Sequence, residues 1–152
     1  MTTPIVYTFS GVGSGTLGAT PFTDQPFVIA ALADASKVYQ NSILYPVPTP
    51  QIDLPQSTVM ISISGSSSAI IQPSLSLALL FNPQRKPYQF TIGIAPDQLL
   101  AVTNPVFEHA ALNKTVEITK GTASISKKPY GTSGGSLVFS SISSAEFGAT
   151  LL

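Results

Sequence analysis

Apolar and polar residues alternate with a period of two through most of this chain. In residues 4–10, Ile5, Tyr7 and Phe9 fall on one face of an extended backbone, and smaller or polar residues fall on the other. The same alternation recurs in residues 27–33, 57–64, 75–81, 88–94, 115–119, 122–126, 136–141 and 145–151. A period of two in β-branched and aromatic residues predicts strands. The pattern therefore predicts about eight to ten short strands separated by turns.

This pattern predicts an all-β fold. At 152 residues a single domain covering 1–152 is expected, and we predict an antiparallel β-sandwich, jelly-roll-like or immunoglobulin-like. A closed β-barrel is the alternative architecture. The predicted core consists of Tyr7, Phe9, Phe27, Ile29, Val59, Ile61, Ile63, Leu77, Leu79, Phe90, Ile92, Leu137 and Phe139.

Two segments interrupt the strand pattern. Residues 40–56 contain four prolines among polar residues, which predicts a stiff, extended proline-rich loop. Loops of this length are uncommon in compact domains and are often functional. Residues 96–101 begin with Pro-Asp, a pair suited to the first turn of a helix, so a short helical turn is predicted there.

Residues 13–18 spell G-x-G-x-x-G, the pattern of a dinucleotide-binding turn. That function requires the turn to open a helix whose N-terminus holds the pyrophosphate. Ala-Thr-Pro follows at 19–21, with no helical periodicity, so a glycine-rich bend or bulge is the better prediction.

Charge is scarce and balanced, with seven basic and seven acidic side chains, together 9% of the chain. A neutral chain has no net field to attract nucleic acid or an anionic membrane, so neither partner is expected. Weak self-repulsion instead favours association, and we predict a homo-oligomer. The longest uncharged apolar stretches, 70–71 and 75–81, are too short to cross a bilayer, which predicts no membrane insertion.

Side chains that carry catalysis are rare. With no cysteine and one histidine, His109, a metal site built from nitrogen and sulfur ligands is excluded. A serine triad would depend on His109, and no G-x-S-x-G elbow is present. A calcium site or a glycosidase pair would need loops to gather the isolated carboxylates Asp24, Asp34, Asp53 and Asp97. We predict no enzyme activity and no cofactor.

Aromatic residues near the proline-rich loop are the best binding candidates. Tyr39 and Tyr45 flank Asn41, and Asp53 follows in the same region. Tyrosine rings stack on the C–H faces of sugars while amides and carboxylates pair with hydroxyls, so these four residues are the predicted ligand site. The alternative is that both tyrosines are half-buried at strand ends. Lys120, Lys127 and Lys128 form either a small basic patch or a solvated strand edge.

The motif Tyr-Thr-Phe-Ser-Gly at 7–11, followed by the glycine pattern at 13–18, resembles a set of exported bacterial proteins. These are the β-rich ectodomains often found upstream of a PEP-CTERM sorting signal. Further matching segments lie at 22, 27–34, 99–102, 105–107, 130–139 and 147–149. The resemblance implies export, a cell-surface or extracellular setting and exopolysaccharide-producing hosts, but supplies no catalytic residues.

Export is expected from the resemblance, although the first four residues are unlike a signal peptide. The sequence also lacks the Pro-Glu-Pro motif, apolar helix and basic tail, so no anchor is expected within these residues. The predicted function is a non-enzymatic structural or interaction protein of the cell surface or extracellular matrix that associates with itself. A carbohydrate-binding module recognising exopolysaccharide is the alternative, and a hydrolase is the third hypothesis.

Overall fold

The computed structural model describes residues 2–41, 49–64, 68–73, 75–81, 88–93 and 98–152, and within these ranges the chain is built mainly of strands. The strands are β1 (Pro4–Leu17), β2 (Thr20–Asp34), β3 (Tyr39–Asn41), β4 (Thr49–Leu54), β5 (Val59–Ile63), β6 (Ser68–Ile70), β7 (Leu75–Phe81), β8 (Tyr88–Ile92), β9 (Leu100–Thr103), β10 (Val116–Ser124), β11 (Tyr130–Thr132) and β12 (Gly135–Leu151). Two short 3-10 helices cover Ala35–Lys37 and Pro105–His109. The all-β prediction is confirmed.

The strands form one curled antiparallel sheet in the order β3-β4-β7-β8-β9-β10-β12-β1-β2-β5-β6, with β11 on β12. Strand β10 joins its two halves: Val116 to Gly121 pair with β12, and Thr122 to Ser124 pair with β9. We call β12, β1, β2, β5, β6 and β11 the long-strand half, and β3, β4, β7, β8 and β9 the short-strand half. The predicted antiparallel all-β fold is thus one continuous curled sheet.

Glycines allow the central strands to approach closely. A Cβ at Gly11 would lie 2.0 Å from the Ser144 carbonyl oxygen, and one at Gly15 would lie 1.9 Å from that of Val138. The pairing of β1 with β12 shifts register between Val12 and Gly13 and again between Ser14 and Gly15. The predicted glycine-rich bulge is confirmed. Because this segment lies inside β1, it opens no helix and lacks the geometry of a dinucleotide site.

One end of the long-strand half closes on itself. A bridge pairs Ile71, just after β6, with Thr132 of β11. The Gln72 amide donates to the Gly131 carbonyl at 3.0 Å, and the Ser133 amide donates to the Ile70 carbonyl at 2.9 Å. Six strands, β11, β12, β1, β2, β5 and β6, thus form a ring at this end. At the other end of the sheet, β3 pairs with β4 alone among the described strands.

The core lies between the two halves, and every residue of the predicted core is buried; the least buried, Leu79, is 6% exposed. Aromatic rings connect the two halves. Phe90 of β8 stacks on Phe147 of β12, with ring centroids 3.9 Å apart. Phe107 packs edge-on against Phe90 at 4.9 Å. Offset and edge-on ring contacts stabilise a core beyond the area they bury. These contacts fix the second 3-10 helix against the sheet.

The predicted proline-rich loop over 40–56 is wrong for residues 49–54, which form strand β4. Buried Ile52 and Leu54 point inward, and Gln51 and Asp53 alternate with them. Pro50 is tolerated because it faces Gln40 of β3, while pairing of β4 with β7 begins one residue later, at Gln51. The prolines obscured a strand whose period of two is present in the sequence.

The predicted helical turn over 96–101 is also wrong where the structure describes it. Residues 94–97 lie outside the described residues, whereas Leu100 and Ala101 belong to strand β9. Leu100 stands opposite Ile92 of β8, and both side chains are completely buried. Burial in the sheet outweighs the weak local helix signal of a Pro-Asp pair.

Candidate binding site and exposed apolar face

Tyr39, at the start of the edge strand β3, lies directly opposite Gln51 of β4. Its hydroxyl donates to Oδ1 of Asp53 at 2.9 Å and accepts a hydrogen bond from Nε2 of Gln51, also at 2.9 Å. Gln51 is buried, whereas the Tyr39 side chain is 41% exposed. The tyrosine is therefore held by its hydroxyl while part of its ring remains accessible to solvent.

Asp53 also meets the next strand of the sheet. It stands opposite Ser76 of β7, whose hydroxyl donates to the same carboxylate oxygen, Oδ1, at 3.2 Å. Beside this pair lies an open cavity of about 340 Å³, lined by Asp53, Leu54, Pro55, Leu75 and Ser76. The site combines two polar side chains with an apolar surface, a mixture suited to an amphipathic ligand.

The structure brings two of the four predicted site residues together, since Tyr39 is hydrogen-bonded to Asp53. Asn41 belongs to β3 and pairs with Thr49. Tyr45 lies outside the described residues. The sequence prediction missed Gln51 and Ser76. The alternation of residues 51–54 was a signal for Gln51, but Ser76 comes to the site only through the pairing of β4 with β7.

The site lies at one end of a neutral polar face on the short-strand half. Thr49, Gln51 and Thr91 point away from the aromatic core but are at most 3% exposed. Farther along the same face, the Thr103 hydroxyl donates to Oε1 of Gln89 at 3.1 Å. Among the described residues of the paired rows on this face, Asp53 is the only one with a charge. Buried neutral side chains thus surround the site, and a ligand there would meet the exposed Asp53 and the half-buried Ser76.

A second surface, on the outer face of the long-strand half, is apolar. Its large exposed side chains are Val28, Leu32, Met60, Ile70 and Ile118, between 38% and 64% exposed. We call these five residues, with Ala30 and Thr8 between them, the outer patch. The largest exposed apolar patch of a soluble monomer is often a functional contact surface.

Strand register gathers the outer patch into one row. Ile70 stands opposite Met60, Met60 opposite Ala30, and Ala30 opposite Thr8. Thr8 in turn faces Gly148, and Ile118 lies so close over Gly148 that a Cβ there would be 2.7 Å from it. Spanning six strands, the row is about 24 Å long, and Val28 and Leu32 widen it to about 14 Å.

Charged groups lie at the margins of the outer patch. Glu146 stands between Lys120 and Ser10 in a neighbouring row, and Ser10 in turn faces Val28 of the patch. Asp34 ends β2 and caps the first 3-10 helix, where its Oδ1 accepts hydrogen bonds from the amides of Thr3 and Ser36 and from the Ser36 hydroxyl. These hydrogen bonds, led by that from Thr3, lower the pKa of Asp34. Asp34 therefore caps the first 3-10 helix, directly after β2.

The remaining chemical candidates are dispersed. His109 is exposed at the end of the second 3-10 helix, beside the exposed Glu108. Across the part of the chain that the structure describes, no three histidine or acidic side chains gather as metal ligands. Lys120 lies on β10, whereas Lys127 and Lys128 belong to the segment between β10 and β11. No helix of the described residues is long and apolar enough to cross a membrane.

In comparisons with known proteins, no protein-family model, curated protein or solved structure matches the chain. The resemblance to PEP-CTERM-associated ectodomains therefore stays a prediction. The fold and its two surfaces define the protein as an all-β domain with one curled antiparallel sheet.

Proposed function

We propose that this protein is a non-enzymatic, exported structural protein that associates with itself through the outer patch. The observation that carries the proposal is the gathering of exposed apolar side chains into one row across six strands. Contact with a second protein surface would remove this row from water, which is favourable in proportion to the apolar area covered.

The partner that best fits the outer patch is a second copy of the chain. In a two-fold contact the same surface faces itself, so a charge near the two-fold axis would meet its own copy. None of the residues of the outer patch is charged, and the whole chain has no net charge. An uncharged sheet face meets these requirements without repulsion between copies.

The size of the outer patch indicates the strength of the contact. Its footprint is of the order of 300 Å², whereas a stable complex buries about 800 Å² on each partner. The serine and threonine side chains in the neighbouring rows would have to supply the remaining contact area around the patch. We therefore expect association that is weak and concentration-dependent, as suits repeated contacts in a surface layer or matrix.

Light scattering over a concentration series tests this proposal. We expect the mean mass of the wild type to rise with concentration, and Leu32→Lys or Met60→Lys to remain monomeric, because each places a charge in the outer patch. Val106→Lys is the matched control, since Val106 is 56% exposed on the second 3-10 helix, outside the patch. A monomeric wild type, or equal effects of all three substitutions, would contradict the proposal.

The non-enzymatic part of the proposal is supported by the scattered positions of the ionisable side chains. A serine triad would have to involve the exposed His109, which is the chain's one imidazole, whereas a glycosidase would need a pair of carboxylates. A screen with esterase and glycosidase substrates tests this directly, with His109→Ala as the comparison. Turnover by the wild type that the substitution abolishes would overturn the proposal.

Export is proposed from the sequence resemblance together with the low charge. Fractionation of cells that produce the full-length natural gene product would test it, and we expect the protein in the extracellular or cell-surface fraction. Recovery in the cytoplasm alone would contradict this part of the proposal.

A further inference from the structure

We propose that the cavity beside Asp53 and Ser76 binds a neutral sugar ring. This site is independent of the outer patch, because it lies on the short-strand half, where β4 pairs with β7. It therefore adds a ligand to a protein whose proposed function concerns contact between copies.

The polar side of the cavity is fixed before a ligand arrives. Tyr39 and Ser76 both donate to Oδ1 of Asp53, at 2.9 and 3.2 Å. These bonds set the orientation of the carboxylate, and its second oxygen, Oδ2, has no described hydrogen bond and can accept one from a ligand hydroxyl. The Ser76 hydroxyl donates its proton to Asp53. Its oxygen lone pairs can therefore accept a hydrogen bond from a ligand. These two hydrogen-bond acceptors, both held in place, can bind two neighbouring hydroxyl groups of a sugar.

The other side of the cavity is apolar. Pro55 is exposed and supplies hydrocarbon surface that can contact the C–H groups of a sugar ring, with the buried Leu54 and Leu75 packed beneath it. The volume, about 340 Å³, is at the lower end of the range for small-molecule sites and suits one or two sugar rings. The partly exposed ring of Tyr39, bonded to Asp53, offers an additional face at the border.

Charge decides which sugars this cavity accepts. Among the described residues that line it, Asp53 carries a carboxylate and none is basic. An acidic sugar would bring a second negative charge beside Asp53, which is unfavourable. A neutral sugar instead donates hydroxyl protons to the carboxylate, a charge-assisted hydrogen bond. The site therefore selects neutral sugars over uronic or sulfated ones.

Titration by nuclear magnetic resonance tests the proposal. The ¹⁵N-labelled protein is titrated with the methyl glycosides of glucose, galactose and mannose, and separately with glucuronate. Spectra are recorded up to about 50 mM, since single sugar rings bind in the millimolar range. The variants are Ser76→Ala and Asp53→Ala, and Ser62→Ala is the matched control on the long-strand half.

We expect saturable shifts at residues 53–55 and 75–76 with at least one neutral glycoside and none with glucuronate. Affinity should fall at least fivefold in Ser76→Ala, vanish in Asp53→Ala and stay unchanged in Ser62→Ala. No saturable shift with any neutral glycoside, equal binding of glucuronate, or wild-type affinity in Ser76→Ala would overturn the proposal. Because Ser76→Ala leaves the Tyr39–Asp53 bond in place, it remains informative if Asp53→Ala unfolds. The titration is repeated on Leu32→Lys, so that failure of sugar binding is distinguished from failure of self-association.

Discussion

Tyr7 places a hydroxyl inside the apolar core, where the side chain is completely buried. The hydroxyl donates to the backbone carbonyl of Leu112, a residue 105 positions away in the sequence. Burial raises the pKa of Tyr7 well above its ordinary value. This one hydrogen bond therefore ties the segment after the second 3-10 helix to β1.

We expect Tyr7→Phe to lower the free energy of unfolding by about 1–3 kcal/mol, because the buried Leu112 carbonyl loses its partner. Urea denaturation at neutral pH measures the change. The raised pKa also predicts how stability depends on pH. Because the folded protein keeps the phenol neutral, the stability contributed by Tyr7 is present below about pH 10 and is lost as the pH rises above it. Tyr7→Phe should show a smaller loss in that range, and an identical alkaline profile would contradict the assignment.

Asp34 contributes at the opposite end of the pH scale. Hydrogen bonds from Thr3 and Ser36 lower its pKa in the folded state, so the ionised form stabilises the fold. This contribution is present above the ordinary aspartate pKa, about 3.9, and is lost as the pH falls through the lower folded value. We expect Asp34→Asn to unfold with a weaker dependence on acid pH than the wild type, measured by urea denaturation. Ser36→Ala, which keeps the Thr3 bond, should lie between them; a wild-type acid profile for Asp34→Asn would contradict the capping role.

Among the elements, β1 and β12 depend most on small residues. Their backbones approach where Gly11 and Gly15 stand opposite β12, leaving no room for a side chain. A strand pattern predicts that these residues are extended or bulged, but it does not report the distance to a strand that lies more than 100 residues away. The close approach follows from the sheet order, which the sequence leaves open.

We expect Gly11→Ala to destabilise the protein by about 1–3 kcal/mol or more, because a methyl group there would overlap the Ser144 carbonyl and force the strands apart. Thermal unfolding followed by circular dichroism gives the change in melting temperature. Gly131→Ala is the matched control, since the nearest atom to a Cβ at Gly131 is 3.9 Å away, at the end of the Gln72 side chain. Equal shifts for the two variants would contradict this account of β1 and β12.

The strands that alternation predicts best are those with one face in the core. Phe27 and Ile29 of β2 and Val59 and Ile61 of β5 were identified in this way, and all four are buried. Strand β4 was missed because prolines were given more weight than the alternation of Ile52 and Leu54. Tyr39 and Asp53 were predicted within one four-residue site because both lie in or beside the proline-rich region, whereas Ser76 joins them across a strand pairing that no local pattern encodes.

At the scale of the whole molecule, the scarcity of charge has different consequences on the two halves of the sheet. Among the described residues, the strands of the short-strand half bury neutral polar side chains beside one carboxylate, that of Asp53. The long-strand half instead exposes the outer patch, with charged residues only at its margins. A chain with few charges can place an apolar row on its surface without surrounding it by repelling groups, which favours contact between copies.

The central claim is that the outer patch contacts its own copy, and cross-linking of single cysteines tests it most directly. The chain contains no cysteine, so each introduced thiol reports on one position. Ala30→Cys lies near the centre of the outer patch, and Val106→Cys provides an exposed position outside it. Under mild oxidation we expect rapid, concentration-dependent disulfide dimers from Ala30→Cys and few from Val106→Cys. Equal cross-linking of both variants, or none from Ala30→Cys where light scattering reports dimers, would contradict the account.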